Sequence, residues 1–340
     1  MICIALRSPG GALRSWWMRA GLTIAFCFFI LLEFVAIPRV SAASYPSRRI
    51  TLVVPFPAGS ATDAVTRRLA ESMGAATGAA VIVENKPGAD GNLAALSVLK
   101  ADADGYTIFV TTNSTQSANV NLFNTMPYDP KRDFAPIAGI MTIPMMLTVR
   151  ADFPAGSVSE FVALAKARAK PLSFGSGNTS SRGAGELFRF RAGIEMQHVP
   201  YRGMPQVLTD VLAGEIDCTF ADPASAQGLI QDGKLRVLAV TSSERLANLP
   251  SVPTTAEAGL AGSELTAWVG VFARAGTPAD IVAELHRLVT AFVTRAETKV
   301  YLESVGAKPF AAGPEELAAF QEADTKRWAE IVEIAKIEKK

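Results

Sequence analysis

Cysteine and histidine are scarce in this chain of 340 residues, which holds three cysteines and two histidines. Cys3 and Cys27 lie in the N-terminal segment, so Cys218 is alone in the remainder and cannot form an internal disulfide there. His198 and His286 have no further His, Cys or paired carboxylates at metal-ligand spacing. The sequence therefore predicts no metal site and a structural role for both histidines.

Motifs for nucleotides and for activated nucleophiles are also missing. The loop at residues 175–180 has a serine at the third glycine position of the dinucleotide fingerprint, and no phosphate-loop lysine follows. No Gly-x-Ser-x-Gly elbow occurs where an apolar run leads into a helical pattern. We therefore expect no cofactor and no catalytic residue.

The chain has little net charge, with a formal value of +1. Residues 1–42 hold four arginines and one glutamate, which leaves 29 basic and 31 acidic residues in the remainder. A chain with this balance presents no basic face for nucleic acid. We expect no nucleic-acid partner.

The N-terminal segment has the pattern of a secretory signal peptide. Arg7, Arg14 and Arg19 precede an uncharged run at residues 20–32, and the small-residue pattern Val-Ser-Ala follows at residues 40–42. We expect export and cleavage near Ala42 or Ala43. The run is short for a bilayer span of about 20 apolar residues, and an uncleaved anchor is the alternative.

Short apolar runs alternate with amphipathic helical patterns along the rest of the chain, which is typical of βαβ units and of the α/β class. The strand-like runs are residues 50–54, 81–83, 107–110, 172–174 and 237–240. The helical patterns are residues 64–73, 158–169, 185–192, 205–212 and 281–293, with a charged helix over 317–336.

The length of the chain after the signal segment favours two lobes, because a single core rarely organises so many residues. Two strand-like stretches, 145–149 and 267–273, are flanked by turn residues and are candidates for crossovers between lobes. The predicted division is a signal peptide at 1–42, lobe one at 43–149 plus 267–340, and lobe two at 150–266.

Each predicted lobe has a junction in which a strand runs through a Gly/Ser/Thr loop into a helix. In the first, VVPFPAGSATD at residues 53–63, Ser60 and Asp63 can form a capping box in which Asp63 reaches back to the Ser60 amide. Two helix N-termini that face each other across a cleft would instead favour an anion, by about 0.3 to 1 kcal/mol each when exposed and up to about 2 when partly buried. A dicarboxylate fits that second geometry.

A series of ordered motifs along residues 53–259 resembles one known family. The motifs are VVPFPAGSATD, VIVENKPGADGN, DADGYTIFV, MPYDPKRDFAPI, FGSGNTSSRGAGELF, HVPYRG, LAGEIDCTFADPASA, GKLRVLAVTSSER and LPSVPTTAEAG. They are similar to the substrate-binding receptors of tripartite tricarboxylate transporters, the Bug-type family. The resemblance implies a periplasmic binding protein of the type II-like, Venus-flytrap kind, with two α/β lobes joined by crossover strands.

In that family small carboxylates sit in the cleft between the lobes, held by backbone amides, small hydroxyls and ordered water near the first helix of each lobe. Carried over to this chain, the resemblance points to the following residues: Pro57, Gly59, Thr62, Asp63 and Asn113 in lobe one, and Ser176, Asn178, Thr179, Ser180, Tyr201 and Asp222 in lobe two. Tyr201 can also be a buried residue of a turn. We interpret residues 85–92 as a structural turn rather than a ligand site.

The chain departs from the family pattern at three positions. Ser60 replaces the second glycine of the first loop, Arg182 stands where His is common, and Asp222 stands where Asn is common. Arg182 can bind a ligand carboxylate through its guanidinium fork, lie on the helix surface, or pair with Asp222. If both side chains face the cleft, a zwitterionic or hydroxylated acid is favoured.

The resemblance thus implies a monomeric periplasmic receptor, without catalysis, that passes a small organic anion to membrane transporter subunits. Two other interpretations stay open. One is a ligand sensor for a membrane kinase, and the other is a periplasmic hydrolase on the same architecture.

Overall fold

Two β-sheets organise the residues that this computed structural model describes, 45–340. The predicted signal peptide and its cleavage site lie outside the described residues. The strands are β1 (Ile50–Val54), β2 (Val81–Asn85), β3 (Thr107–Thr112), β4 (Phe134–Pro144), β5 (Met146–Arg150), β6 (Leu172–Ser176), β7 (Met196–Pro200), β8 (Cys218–Ala221), β9 (Leu235–Val240), β10 (Thr266–Arg274) and β11 (Lys308–Pro309).

Helices cover both sheets, as the alternating pattern predicts. They are α1 (Ala61–Thr77), α2 (Asn92–Lys100), α3 (Asn119–Leu122), α4 (Val158–Ala167), α5 (Thr179–Ala192), α6 (Met204–Ala213), α7 (Pro223–Gln231), α8 (Ala279–Thr294), α9 (Ala296–Ser304) and α10 (Pro314–Ile334). A 3₁₀ turn at Ala89–Gly91 and a π-helix at Ser114–Ala118 complete the set. The α/β class predicted from the sequence is confirmed.

The first sheet has six strands in the order β11-β4-β10-β3-β1-β2. Its strand β1 runs parallel to both β2 and β3, whereas β10 runs antiparallel to β3 and β4. The second sheet has five strands in the order β7-β6-β8-β5-β9, with β6 parallel to β7 and β8. In each sheet the carboxyl ends of the parallel strands lie at one edge, which is where open α/β sheets bind ligands.

The two sheets are connected at one small region of the chain. Met145 alone separates β4 of the first sheet from β5 of the second. The return passes through Thr241, whose backbone N–H donates to Met145 O at 2.8 Å, and Leu265, whose N–H donates to Thr241 O at 3.0 Å. The Thr241 hydroxyl accepts from Met145 N at 2.8 Å and donates to Leu265 O at 2.5 Å. The connections therefore lie side by side, while the predicted lobe boundaries stay a prediction.

Helix α5 begins six residues before its hydrophobic pattern does. Asn178 caps it, with the side-chain oxygen accepting from Ser181 N at 2.8 Å. The sequence predicts a loop for the first turns of this helix because they contain Gly183 and Gly185. A Cβ at Gly183 would lie 2.4 Å from Trp328, and one at Gly185 would lie 2.3 Å from Phe174. These two glycines let the helix pack closely on helix α10 and on the second sheet.

A matched pair on helix α5 tests this packing. Phe188 is fully buried and Phe190 is 42% exposed. We expect Phe188→Ala to lower the free energy of unfolding by about 3–5 kcal/mol, because it removes buried ring contacts and leaves a cavity. We expect Phe190→Ala to change it by less than about 0.5 kcal/mol. Urea unfolding followed by circular dichroism measures both, and equal losses would contradict the assignment of the buried face.

Candidate functional site

Strand ends of both sheets supply the polar loops that meet between the sheets. Pro57 to Asp63 follow β1, and Asn113 directly follows β3 of the same sheet. Asn178 lies between β6 and α5, and Asp222 directly follows β8. The sequence therefore places its candidate residues at the carboxyl ends of parallel strands, where both sheets open toward each other.

The loop after β1 is held in shape by Asp63. The Asp63 carboxylate accepts hydrogen bonds from Gly59 N at 3.0 Å, Asn85 Nδ2 at 2.9 Å and Arg67 Nε at 3.0 Å. The Ser60 hydroxyl accepts from Asp63 N at 3.2 Å, as a helix cap does. The capping-box prediction was wrong in one bond: Asp63 reaches the amide of Gly59 rather than that of Ser60, because the Ser60 amide donates to Pro57 O at 3.3 Å.

Pro57 and Gly59 face the second sheet's loop rather than a cavity. A Cβ at Gly203 would lie 2.3 Å from Pro57 Cγ, and one at Gly59 would lie 3.9 Å from Pro205. Gly59 adopts φ +82°, a conformation that favours glycine. Pro57, Gly59 and Asp63 therefore shape the contact between the sheets without lining the inner or the mouth cavity described below.

Side-chain hydrogen bonds near the strand ends join the loops of one sheet to those of the other. Asn113 is fully buried, and its Nδ2 donates to Ser180 Oγ at 2.9 Å. The Thr179 hydroxyl donates to Asn119 Oδ1 at 3.3 Å. Asn113 stands at the start of the π-helix, a local irregularity that is frequent at functional sites. The N-terminus of α5 thus contacts the chain that follows β3.

A small cavity of about 30 Å³, the inner cavity, lies beside the Asn113–Ser180 contact. Five of the predicted site residues line it: Thr62, Asn113, Asn178, Ser180 and Asp222. Its other walls are mainly apolar and include Met141, Ile143, Met145, Met204 and Val269. The inner cavity therefore combines small polar groups from both sheets with an apolar floor at the connection between them.

A larger cavity of about 450 Å³, the mouth cavity, shares Phe56, Gly177 and Asn178 with the inner one. Thr179 and Tyr201, both predicted site residues, line it together with Arg202, Gln206 and Lys340. The Tyr201 hydroxyl donates to Asp210 at 2.6 Å. Burial, and then that bond to Asp210, raise the pKa of Tyr201 to about 12. Tyr201 therefore presents its ring rather than a free hydroxyl.

Sequence reasoning missed two parts of the mouth cavity. Residues Gly88 to Gly91 line it, and all four have positive φ, although Ala89 and Asp90 are not glycine. Backbone in such strained conformations clusters at functional sites. Ser114 also lines this cavity, is 1% exposed and has no hydrogen-bond partner for Oγ within the described residues. The glycine spacing of NKPGADGN was a usable signal for the first part, while nothing in the sequence marks Ser114.

Ser176, Arg182 and His198 gather at a narrow side pocket that also contacts Asn178 and Lys340. The Ser176 hydroxyl and His198 Nε2 lie 2.7 Å apart. Burial, with the positive charges of Arg182 and Lys340, lowers the pKa of His198 to about 4. His198 is therefore neutral at physiological pH.

Arg182 adopts neither of the two arrangements predicted as alternatives to ligand binding, a position on the helix surface or a pair with Asp222. Its side chain is 13% exposed, so it does not lie on the helix surface, and its nearest carboxylate is Glu186 at 3.9 Å rather than Asp222. Nη2 donates to Glu338 O at 3.2 Å, whereas Nε and Nη1 are buried without a hydrogen-bond partner within residues 45–340. Nη1 is thus without any partner among these residues, and Nε has only the 3.9 Å ion pair with Glu186.

Asp222 caps helix α7 from a fully enclosed position. It is 4% exposed, and its Oδ1 accepts from Ser225 N at 2.8 Å. Burial raises the pKa of the Asp222 carboxyl. Arg182 and Asp222 therefore both face the space between the sheets, but they line different cavities.

Comparison with known proteins places this geometry in a family. The model of the TctC family, the tripartite tricarboxylate transporter family receptor, matches residues 65–337. The chain belongs to that family. TctC receptors bind small carboxylates and work with membrane transporter subunits. The predictions of family and of a periplasmic-binding-protein fold are confirmed.

Three solved structures are similar over nearly all of their length. Rpa4515 of R. palustris with adipate is 34% identical, with a TM-score of 0.85, and covers 87% of this chain and 100% of its own. The periplasmic binding protein BugD is 32% identical, with a TM-score of 0.83 and the same coverage. MatC of Rhodopseudomonas palustris with bound malate is 32% identical, with a TM-score of 0.80, and covers 85% and 100%. Within residues 45–340 of the present chain, no helix is both long enough and apolar enough to span a membrane.

The three bonds to Asp63 predict a pH-dependent loss of stability in Asp63→Asn. Burial acts to raise the pKa of this carboxyl, but the bonds from Arg67, Asn85 and Gly59 outweigh it and hold the pKa below 3.8. A depressed folded-state pKa stabilises above the unfolded pKa, and this stabilisation is lost as the pH falls through the folded value. We expect a loss of about 1–3 kcal/mol at pH 7 that shrinks toward pH 3.

Urea unfolding at the two pH values measures this difference. Asp102→Asn, at an exposed position, is the matched control and should change little at either pH. A loss for Asp63→Asn that is equal at pH 7 and pH 3 would show that the charge of Asp63 is not what holds the loop.

Proposed function

We infer that this protein is an exported periplasmic receptor that captures a small organic anion, a di- or tricarboxylate or a related carboxylic acid, for a tripartite tricarboxylate-type transporter. The N-termini of α1 and α5, from different sheets, meet around the inner cavity, and this one observation carries the proposal. Adipate and malate are bound by two similar proteins. A periplasmic location and a monomeric state belong to the same proposal.

The two helix starts supply the donors that an anion needs. Each helix leaves its first N–H groups without an intrahelical partner. The side-chain caps use the amides of Asp63 in α1 and of Ser181 in α5, so the amides of Ala61, Thr62, Thr179 and Ser180 remain as terminal donors. With both helix dipoles directed at it, a carboxylate there is stabilised by up to about 2 kcal/mol from each helix.

Closure of the sheets around the ligand is the proposed mechanism. The donors come from two sheets, and the chain passes between these sheets near Met145, Thr241 and Leu265. A carboxylate gains its full set of contacts only when both helix starts face it, so the ligand favours the closed arrangement. The Asn113–Ser180 bond joins the sheets in that arrangement.

Thermal shift with a panel of carboxylates and neutral isosteres tests the proposal. A ligand at a hundred times its dissociation constant adds about 2.7 kcal/mol of stability, which corresponds to roughly 5–10 °C in Tm at this chain length. We expect Ser180→Ala to weaken the affinity of the best acid about three- to tenfold, because one hydrogen-bonding group of about 1 kcal/mol is lost. Ser159→Ala, at an exposed position on α4, should not change it. A panel in which no acid raises Tm would reject the proposal.

Arg182 is proposed to hold a ligand carboxylate with Nε and Nη1, the two nitrogens that make no hydrogen bond within the described residues. We expect Arg182→Gln to weaken binding of a dicarboxylate about 10- to 100-fold, because hydrogen bonds to a charged group contribute about 1.5–3 kcal/mol. Isothermal titration calorimetry measures the change, with Arg191→Gln at an exposed position on the same helix as control. Unchanged affinity in Arg182→Gln would show that Arg182 does not contact the ligand.

A further inference from the structure

Asp222 is the one charged side chain among the residues that line the inner cavity in the described chain. The other polar groups there are hydroxyls and amides, from Thr62, Asn113, Asn178 and Ser180 among others. Within residues 45–340, no Lys, Arg or His nitrogen lies within the 4.0 Å of an ion pair with Asp222. A buried carboxylate without a cation is costly.

The capping role of Asp222 does not account for its charge. One oxygen, Oδ1, accepts the bond from Ser225 N, and the second oxygen has no hydrogen bond within the described residues. Asn and Ser cap helices about as well as Asp and carry no charge. A neutral cap would therefore serve α7 equally and would avoid burying an anion.

An anionic ligand makes the burial of the Asp222 charge still less favourable. The inner cavity is small, so a carboxylate held by the starts of α1 and α5 lies close to Asp222. Two carboxylates in one low-dielectric site repel each other. The repulsion is relieved when a hydrogen-bond donor on the ligand lies between them, since a donor on the carbon next to the ligand carboxylate can reach the free oxygen of Asp222.

We propose that Asp222 accepts a hydrogen bond from an amino or hydroxyl group on the carbon next to the ligand carboxylate. This specificity rests on the proposed function of the site. The receptor then takes 2-amino or 2-hydroxy acids and discriminates against the unsubstituted acid. An acid without the donor leaves the buried Asp222 oxygen unpaired and places two anions together, and such losses are far larger than those from a missing apolar contact.

Matched ligands test the proposal by isothermal titration calorimetry on the mature chain. The ligands form three series, with chains of four, five or six carbons and a carboxylate at each end. Within a series the members differ only in the substituent on carbon 2, which is hydrogen, hydroxyl or ammonium. We expect the wild type to bind the hydroxy or the amino member at least about tenfold more tightly than the unsubstituted member. The affinities of the hydroxy and the amino member show which of the two hydrogen-bond donors the site prefers.

The substitution Asp222→Asn removes the charge at this position and keeps a side chain that can cap α7. We expect it to reduce the preference for the substituted acid to less than about threefold, through weaker binding of that acid and tighter binding of the unsubstituted one. Asp222→Ser, which also keeps a cap, should give the same direction if the Asn variant does not fold. Asp232→Asn, at the other end of α7 and 58% exposed, should keep the wild-type preference.

The outcomes distinguish this inference from the proposed function. A wild-type protein that binds the unsubstituted acid as tightly as its hydroxy and amino counterparts overturns the inference alone, as does a preference that persists in Asp222→Asn. Uptake of one proton on binding an unsubstituted acid, measured in two buffers of different ionisation enthalpy, would instead make Asp222 a protonated donor and would also overturn it. Binding of no acid in any series overturns the proposed function together with the inference.

Discussion

The close packing of helix α5 is the constraint on which the site depends. Trp328 on one side and Phe174 on the other leave no room for a side chain at Gly183 and Gly185. That contact fixes the axis of α5 against both α10 and the second sheet, and therefore fixes where its first turn points. The close packing of the helix behind them thus holds Asn178, Thr179 and Ser180 in the space between the sheets, in the arrangement that the structure shows.

Asp63 fixes the loop before α1 at the first sheet, as Gly183 and Gly185 fix the position of α5 at the second sheet. It holds the turn before α1 through one backbone and two side-chain donors, so the first amides of α1 are presented from a fixed loop. The site is thus built from backbone donors placed by packing and by a buried carboxylate. The side chains that give it chemical character, Arg182 and Asp222, are set into that frame at separate cavities.

The sequence predicted the positions of the strands better than the start of α5 or the contacts of individual side chains. Apolar runs of three to five residues located β1, β3, β6 and β9 because strand patterning survives in any context that buries both faces. The start of α5 could not be found this way, since the glycines that its packing requires erase the helical period. The same limit applies to residues 88–91, whose positive φ values depend on neighbours such as Pro55 and Thr115 that no local pattern names. The partners of Arg182 and Asp222 are likewise set by which helix faces which cavity, and spacing along the chain does not record that.

The hydrogen-bonded connection of Met145, Thr241 and Leu265 bears on the proposed closure of the sheets. Because the two chain connections between the sheets are bonded to each other, they form one covalent pivot rather than two separate ones. Met145 belongs both to that pivot and to the wall of the inner cavity. In the closure proposed above, a rotation about this pivot moves each residue in proportion to its distance from it. The wall of the inner cavity beside Met145 would therefore keep its shape while more distant residues move farther.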